Sequence, residues 1–333
     1  MAVTLKDVAE RAGVSRSAVS RTFTPGASVS KGTRAKVERA ARELGYLPSA
    51  LARGLTTGRT KLVGLVSNNF RNPAFLQIFD RATSGLQAQG LRPLLVNLSE
   101  EVDPVHSVQL LRQYSVDAVI IASSTLGPEF AIRFREAGLP TVQAFGRAAR
   151  APVVHTAGID DVACGRLAAR TLRERGYRRV GFLGGPAAAS STQDRWAGFR
   201  EDLSHHPEIA VTASFADGYS YAAGRAEMLR LLAAGPPQEA YFCGDDVLAV
   251  GALSALRGAG YGVPADVGVL GVNDMEMAGW AGIELTTARQ PFAEIIDAVI
   301  GVVAALLADP GQAPVSRLFP CTVVERATLR PPP

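Results

Sequence analysis

Cysteine is scarce in this chain. Cys164, Cys243 and Cys321 are odd in number, far apart and without a C-x-x-C pair. That pattern gives neither a disulfide framework nor a zinc site and points to a reducing compartment. The four histidines, His106, His155, His205 and His206, offer no metal spacing, and no Ser-His-Asp arrangement can be argued from them. Long apolar runs are missing as well: the stretch from Ala298 to Ala308 is interrupted by Gly301 and is too short to span a bilayer. No basic segment followed by an apolar one opens the chain. A cytoplasmic location is expected, with no membrane partner, metal or cofactor. Gly184-Gly185-Pro186 follows an apolar run, yet it lacks the spacing of a dinucleotide fingerprint or a Walker loop, and Pro186 removes an amide donor such a loop would use. A nucleotide-dependent enzyme is therefore disfavoured.

What is present suits a globular protein of two or three domains: 333 residues, 47% hydrophobic and 20% charged. The charge is unevenly spread. Residues 1–61 hold 12 Lys or Arg against 4 Asp or Glu, while the rest hold 23 against 27. A small basic module joined to an ordinary domain is the pattern of a chain that meets a polyanion at one end, although a solvated basic face would also produce it.

The basic end carries three helix signatures. Thr4 and Asp7 form a capping-box pair ahead of Leu5, Val8, Ala9 and Ala12 in helical spacing, and Gly13 stops that helix. Ser15 caps a second helix in which Val19 and Phe23 share one face, leaving Ser17 and Arg21 opposite and Arg16 at the exposed start. After Thr24-Pro25-Gly26, Ser30 caps a third helix with Val37, Ala40, Ala41 and Leu44, closed by Gly45. Two short helices across a tight turn, the second outwardly polar and basic, make a helix-turn-helix whose second helix can enter a major groove.

These residues carry a family resemblance. Thr4 to Ser15, Ala18 to Arg21, Val29-Ser30, Thr33-Arg34 and Leu44 to Pro48 closely resemble the opening of LacI/GalR repressors. Ser49 to Leu55 sits where that family has its hinge helix, before the linker Thr56 to Thr60. The resemblance implies DNA contacts from Thr4, Ser15, Arg16, Ser17, Ser20, Arg21 and Ser30. It also implies minor-groove contacts from Ala52 and Leu55, with Leu55 the apolar wedge at the operator centre. On composition alone the Ala/Leu-rich heptamer would read as a plain helical linker.

From Lys61 onward, apolar strand-like runs alternate with helical periods: 62–66, 94–98, 118–122, 141–145, 180–183, 211–215, 241–243 and 267–270. Alternation of this kind implies parallel sheets covered on both faces, and the number of runs suits two doubly wound lobes. The segment 151–160, broken by Pro152 and Gly158, is the expected crossing between lobes, and 291–330 should supply one long helix and a strand. The expected division is thus 1–47 for the helix-turn-helix, 48–60 for hinge and linker, and 61–333 for effector binding and dimerisation. The two lobes of that last part cover about 61–160 with 291–320, and 161–290. By resemblance the chain crosses three times between lobes, in the fold of periplasmic sugar-binding proteins.

Ligands in such folds sit beyond the carboxyl ends of strands. Asn68 follows the first run, Phe75 lies in Asn72-Pro73-Ala74-Phe75 ahead of a helix, and Phe145 ends the fourth run. The resemblance further singles out Arg195, Tyr219, Asp245, Asn273 and Gln290 as effector contacts, with Asp245 where the family commonly has Asn and Asn273 where it commonly has Asp. Each has an ordinary reading beside it: Arg195 as a surface ion pair, Asp245 as a helix cap, Asn-Pro as a turn. An aromatic platform, an Arg fork, amides and a carboxylate together suit a hydroxylated ligand such as a sugar or sugar acid.

The expected protein is a homodimeric regulator that binds double-stranded operator DNA, commonly as a repressor, under control of a small sugar-like effector. The chain ends at Thr328 to Pro333 without a Leu-heptad tail, so dimers rather than tetramers are expected. A sugar-binding protein without gene regulation, or an activator of the same family, are the alternatives.

Overall fold

The computed structural model describes residues 3–24, 26–47, 54, 58–98, 104–147, 149 and 151–332. Ala52 and Leu55, expected on the hinge helix, lie outside the described residues. The chain divides into two units, Met1–Lys61 and Leu62–Pro333.

In the first unit α1 (Leu5–Ala12), α2 (Arg16–Thr22) and α3 (Lys31–Leu44) are set by their caps. The Thr4 N–H and hydroxyl both donate to Asp7 Oδ2, at 2.7 and 2.8 Å, and Gly13 and Gly45 close α1 and α3 in the left-handed region. Ser15 accepts from the Ala18 N–H and Ser30 from the Thr33 N–H, both at 3.2 Å, each satisfying an amide that the helix start leaves open. The three helices enclose only Val8, Ala9, Val19, Val37, Ala40 and Ala41 as fully buried apolar residues. An Arg11–Glu43 ion pair and the Phe23 and Tyr46 rings, 5.9 Å apart, supplement that small core.

Among the described residues the second unit contains two six-stranded sheets. Lobe 1 has β1 (Leu62–Ser67), β2 (Arg92–Asn97), β3 (Ala118–Ala122), β4 (Thr141–Ala144), β5 (His155–Ile159) and β11 (Ser316–Phe319), in the order β11-β5-β4-β3-β1-β2, all parallel. Lobe 2 has β6 (Arg179–Gly184), β7 (Ala210–Phe215), β8 (Ala240–Cys243), β9 (Gly268–Asn273), β10 (Thr286–Arg289) and β12 (Thr322–Val324), in the order β12-β10-β9-β8-β6-β7. Only β12 runs antiparallel to its neighbour there. Both lobes thus repeat the doubly wound order 2-1-3-4-5, which reverses next to the first strand and opens a crevice there.

Side chains alternate across each sheet. In lobe 1, Leu65 and Ile120 face α4 (Ala74–Ala88) and α11 (Phe292–Ala308), while Val66 and Ile121 face α5 (Pro104–Gln113) and α6 (Pro128–Glu136). In lobe 2, Val180 and Phe182 face α7 (Asp161–Glu174) and α8 (Ser190–Ser204), while Leu183 and Cys243 face α9 (Tyr221–Ala234) and α10 (Asp246–Gly258). The chain crosses between lobes after β5, after β10 and between β11 and β12.

Three elements depart from the sequence reading. Segment 151–160 is not only a crossing: it contains β5, a strand of lobe 1 buried along its whole length. The end of the chain supplies two strands, not one, because Pro320 and Cys321 divide β11 and β12 between different sheets. The short buried strand β10, Thr-Thr-Ala-Arg, has no apolar run to announce it.

Candidate functional site

On α2 the Val19 side chain is buried, and Ser15, Arg16, Ser17 and Arg21 are exposed, with Ser20 half-buried. Arg21 NH2 donates to Ser17 Oγ one turn earlier at 2.9 Å, so the two stand side by side on the outward face. Arg34 NH1 donates to the Thr22 carbonyl at 2.9 Å and ties α3 to the end of α2. Thr4, Ser15 and Ser30 are cap residues, each at a helix start where open N–H groups and the helix dipole favour an anion.

In the second unit the strand ends converge on a cavity of about 50 Å³ between the lobes. Phe75, Phe145, Arg195, Tyr219, Asp245, Asn273 and Gln290 line it, seven of the eight residues singled out from the sequence. Asn68 does not: its Oδ1 accepts from the Ser123 and Thr125 hydroxyls at 2.8 and 3.0 Å, and it orders the loop after β3. Its neighbours Asn69 and Asn72 are at the cavity instead.

Arg195 lies on α8, which is held against α7 by two glycines. A Cβ on Gly165 would fall 2.1 Å from the Arg195 carbonyl, and one on Gly198 would fall 1.9 Å from that of Val162. Only this approach lets Arg195 reach Asp161 at the head of α7. Its Nε donates to Asp161 Oδ1 at 2.7 Å and its NH1 to the Gly244 carbonyl at 2.6 Å, so the guanidinium is buried, not a surface ion pair. Burial disfavours its charge, but its neighbours together, Asp161 foremost, outweigh that and keep the guanidinium protonated. Asp161 was not singled out from the sequence. Its one signal was an acidic residue beyond a strand end, shared with Asp160, which caps α7.

Asp245 caps a helix and also lines the cavity. Oδ1 accepts from the Val247 N–H at 2.9 Å and caps α10, while Oδ2 accepts from Asn72 Nδ2 at 2.9 Å and Asn273 Nδ2 at 3.0 Å. Burial pushes its carboxyl up, against the pull of those donors and Arg195. Asn273 Oδ1 in turn accepts from Gln290 Nε2. Asn273 has φ 122° and Phe145 φ 63°, backbone that side chains other than glycine seldom adopt and that clusters at binding sites. The Tyr219 hydroxyl lies 2.7 Å from Thr192 Oγ1 and 3.0 Å from Ser191 Oγ. Gly185, in the segment that resembled no phosphate loop, leaves room for that ring: a Cβ there would stand 2.3 Å from Tyr219 Cε1. On the other wall Phe145 and Phe292 meet edge to face at 5.8 Å.

Residues 4–49 match the family described as bacterial regulatory proteins, lacI family, and residues 169–329 match the periplasmic binding protein-like domain. Among curated relatives, the transcriptional repressor PurR of Proteus mirabilis is 31% identical over 86% of this chain and 85% of its own length. The transcriptional regulator CelR of Thermobifida fusca is 34% identical over 86% of this chain and 87% of its own. A solved lac repressor dimer bound to operator and the anti-inducer ONPF superposes with TM-score 0.88 at 26% identity, covering 99% of this chain and 100% of the other. A CelR–cellobiose complex gives TM-score 0.73 at 28% identity over 98% and 99%. With an N-terminal helix-turn-helix ahead of two periplasmic-binding-protein-like lobes, the chain belongs to the LacI family, non-enzymatic regulators of transcription that bind DNA under effector control.

Proposed function

We propose that this regulator is a repressor that binds a near-palindromic operator as a homodimer and is switched by a sugar-like molecule held between its lobes. The observation that carries the effector half is the joining of Arg195, Tyr219, Asp245, Asn273 and Gln290 around one cavity at the strand ends. Aromatic walls with a few convergent polar groups suit a hydroxylated ligand. The solved CelR–cellobiose complex, 28% identical to this chain, supports the same class.

Ligand-sized sites occupy roughly 300–1,000 Å³. The present cavity is far smaller, so entry requires the lobes to part. The bonds that must open are Asn72 Nδ2 to Asp245, the Ser190 N–H and hydroxyl to the Ser124 carbonyl at 3.1 and 3.0 Å, and the Arg147 fork onto Asp194. A ligand that favours one lobe orientation shifts the population of operator-competent dimers by its differential affinity.

For the DNA half, Arg16, Ser17, Ser20 and Arg21 read base edges or phosphates from α2, and Thr4, Ser15 and Ser30 meet phosphates at helix starts. Ala52 and Leu55 enter the minor groove, a role that rests on family resemblance alone. One α2 reads too few base pairs to be selective, hence the symmetric partner. Selection of bound fragments from the host genome, followed by operator titration with and without cellobiose and related sugars, tests the reading. Arg21→Ala should weaken operator binding by about 1–3 kcal/mol and leave sugar binding unchanged. A monomer on operator DNA, or a titration that no sugar shifts, would count against it.

A further inference from the structure

The cavity's hydrogen bonds form a chain whose direction is fixed at one end. Asp245 accepts at both oxygens, from the Val247 N–H, Asn72 Nδ2 and Asn273 Nδ2, and among the described residues donates to none, the pattern of an ionised carboxylate. Asn273 must therefore turn its amide nitrogen to Asp245 and its oxygen to Gln290. Gln290 must in turn offer Nε2 to that oxygen. The amide orientations, which could otherwise be interchanged, follow from the network. What is left over is Gln290 Oε1, a buried acceptor without a partner among the described residues, on a residue only 7% exposed.

The cation is also committed. Arg195 is the only Lys, Arg or His among the described residues lining the cavity, and its charge is already met by Asp161 at 2.7 Å. A second terminal nitrogen of Arg195 has no hydrogen-bond partner among the described residues. The lining thus carries one cation and two carboxylates. Asp194, next to Arg195 in sequence, is answered by Arg147 and not by the cavity.

We infer that the cavity selects an uncharged polyhydroxylated ligand and rejects its carboxylate and phosphate counterparts, which deepens, and rests on, the sugar-sensor reading above. A hydroxyl both donates and accepts, so it can give its proton to Gln290 Oε1 and take one from the free Arg195 nitrogen. A carboxylate or dianionic phosphate cannot donate to Gln290. It would also sit beside Asp245 in a site of low dielectric with no uncommitted cation. Of the two ligand classes left open by the residue types, sugar and sugar acid, the geometry favours the neutral one.

The test uses the full-length protein and matched probes: glucose, galactose and cellobiose, each against its aldonic acid, and the two monosaccharides against their 6-phosphates, read by thermal shift and calorimetry. At least one neutral sugar should bind, with its acid or phosphate at least tenfold weaker. An acid or phosphate that binds as tightly as its parent overturns the inference and leaves the sensor reading standing. If no probe of either class binds, the sugar reading falls and the inference with it. Asp161→Asn keeps the volume and frees the Arg195 charge, so the acid-to-neutral affinity ratio should rise at least tenfold. An unchanged ratio in a folded variant overturns the inference. Asp245→Asn, which removes the other negative charge, supplies the same readout should Asp161→Asn fail to fold.

Discussion

The two lobes repeat one strand order but contribute different chemistry to the cavity between them. Lobe 1 brings Asn69, Asn72, Phe75 and Phe145, amides and rings without an ionisable group. Lobe 2, with the head of α7, brings Asp161, Arg195, Tyr219 and Asp245, and these bond largely to one another's elements. Lobe 2 thus forms a polar plate held by bonds within that lobe, and lobe 1 lies over it as a lid that reaches Asp245 through Asn72, beside the Ser124–Ser190 and Arg147–Asp194 bonds. On the proposed reading, recognition and closure are separated between two copies of one topology.

The hardest test of that division is Arg195→Ala. The variant leaves Asp161 buried without its cation, so it should lose about 3–5 kcal/mol of stability in urea denaturation as well as its response to effector. Lowering the pH should shrink the deficit, because burial already pushes the Asp161 carboxyl up and protonation removes the unpaired charge. A loss below about 1 kcal/mol, the value of an exposed pair, would mean that the plate is not held together by this ion pair.

A sharper contrast pairs two amides that donate to the same oxygen. Asn273→Ala removes a bond to Asp245 within lobe 2 and should cost about 1.5–3 kcal/mol of stability, as for a hydrogen bond to a charged group. Asn72→Ala removes the bond from the lid, where parted lobes let water take its place. Its cost should be nearer ~1 kcal/mol, with a larger radius of gyration by small-angle scattering. Equal stability losses and an unchanged radius would remove the distinction between plate and lid.

Local rules made the first unit legible, since each of its helices starts at a hydroxyl cap and Gly13 and Gly45 end two of them. Apolar runs revealed most strands of the lobes for the same reason: both faces are covered. They failed at β5, His-Thr-Ala-Gly-Ile, and at β10, where the buried Thr287 hydroxyl donates to Asp246 and the buried Thr286 hydroxyl accepts from the Arg326 N–H, a partnership formed only in the fold. At the cavity, Arg195, Tyr219, Asp245, Asn273 and Gln290 were reached through the family resemblance. Asp161 was not, since its role depends on two helices meeting at Gly165 and Gly198. A helix cap does not exclude Asp245 from the cavity, because one oxygen caps α10 and the other faces Asn72 and Asn273.

The smallest effect concerns a carboxyl behind the plate. Asp246 is fully buried, with Oδ1 accepting from the Thr287 hydroxyl at 2.6 Å and Oδ2 from the Met275 N–H at 2.8 Å. Burial raises its carboxyl well above the ordinary range, although Thr287 and Met275 pull the other way and Asp245 and Asp274 add to the rise. The folded protein thus holds this proton more tightly than the unfolded chain, whose Asp titrates near 3.9. The stability it gives is complete below that value and is lost as pH rises towards the folded one, by at most about 1.4 kcal/mol per unit for one proton. Asp246→Asn can accept from Met275 through its oxygen and donate to Thr287 through its nitrogen, so the bonds survive and the titration disappears. Urea midpoints between pH 4.5 and pH 8 should fall more for the wild type than for the variant. Asp161 and Asp245, both raised by burial, leave the variant a residual slope of the same sign. Parallel profiles would show that Asp246 takes up no proton in this range and stays ionised on its two donors, Thr287 and Met275.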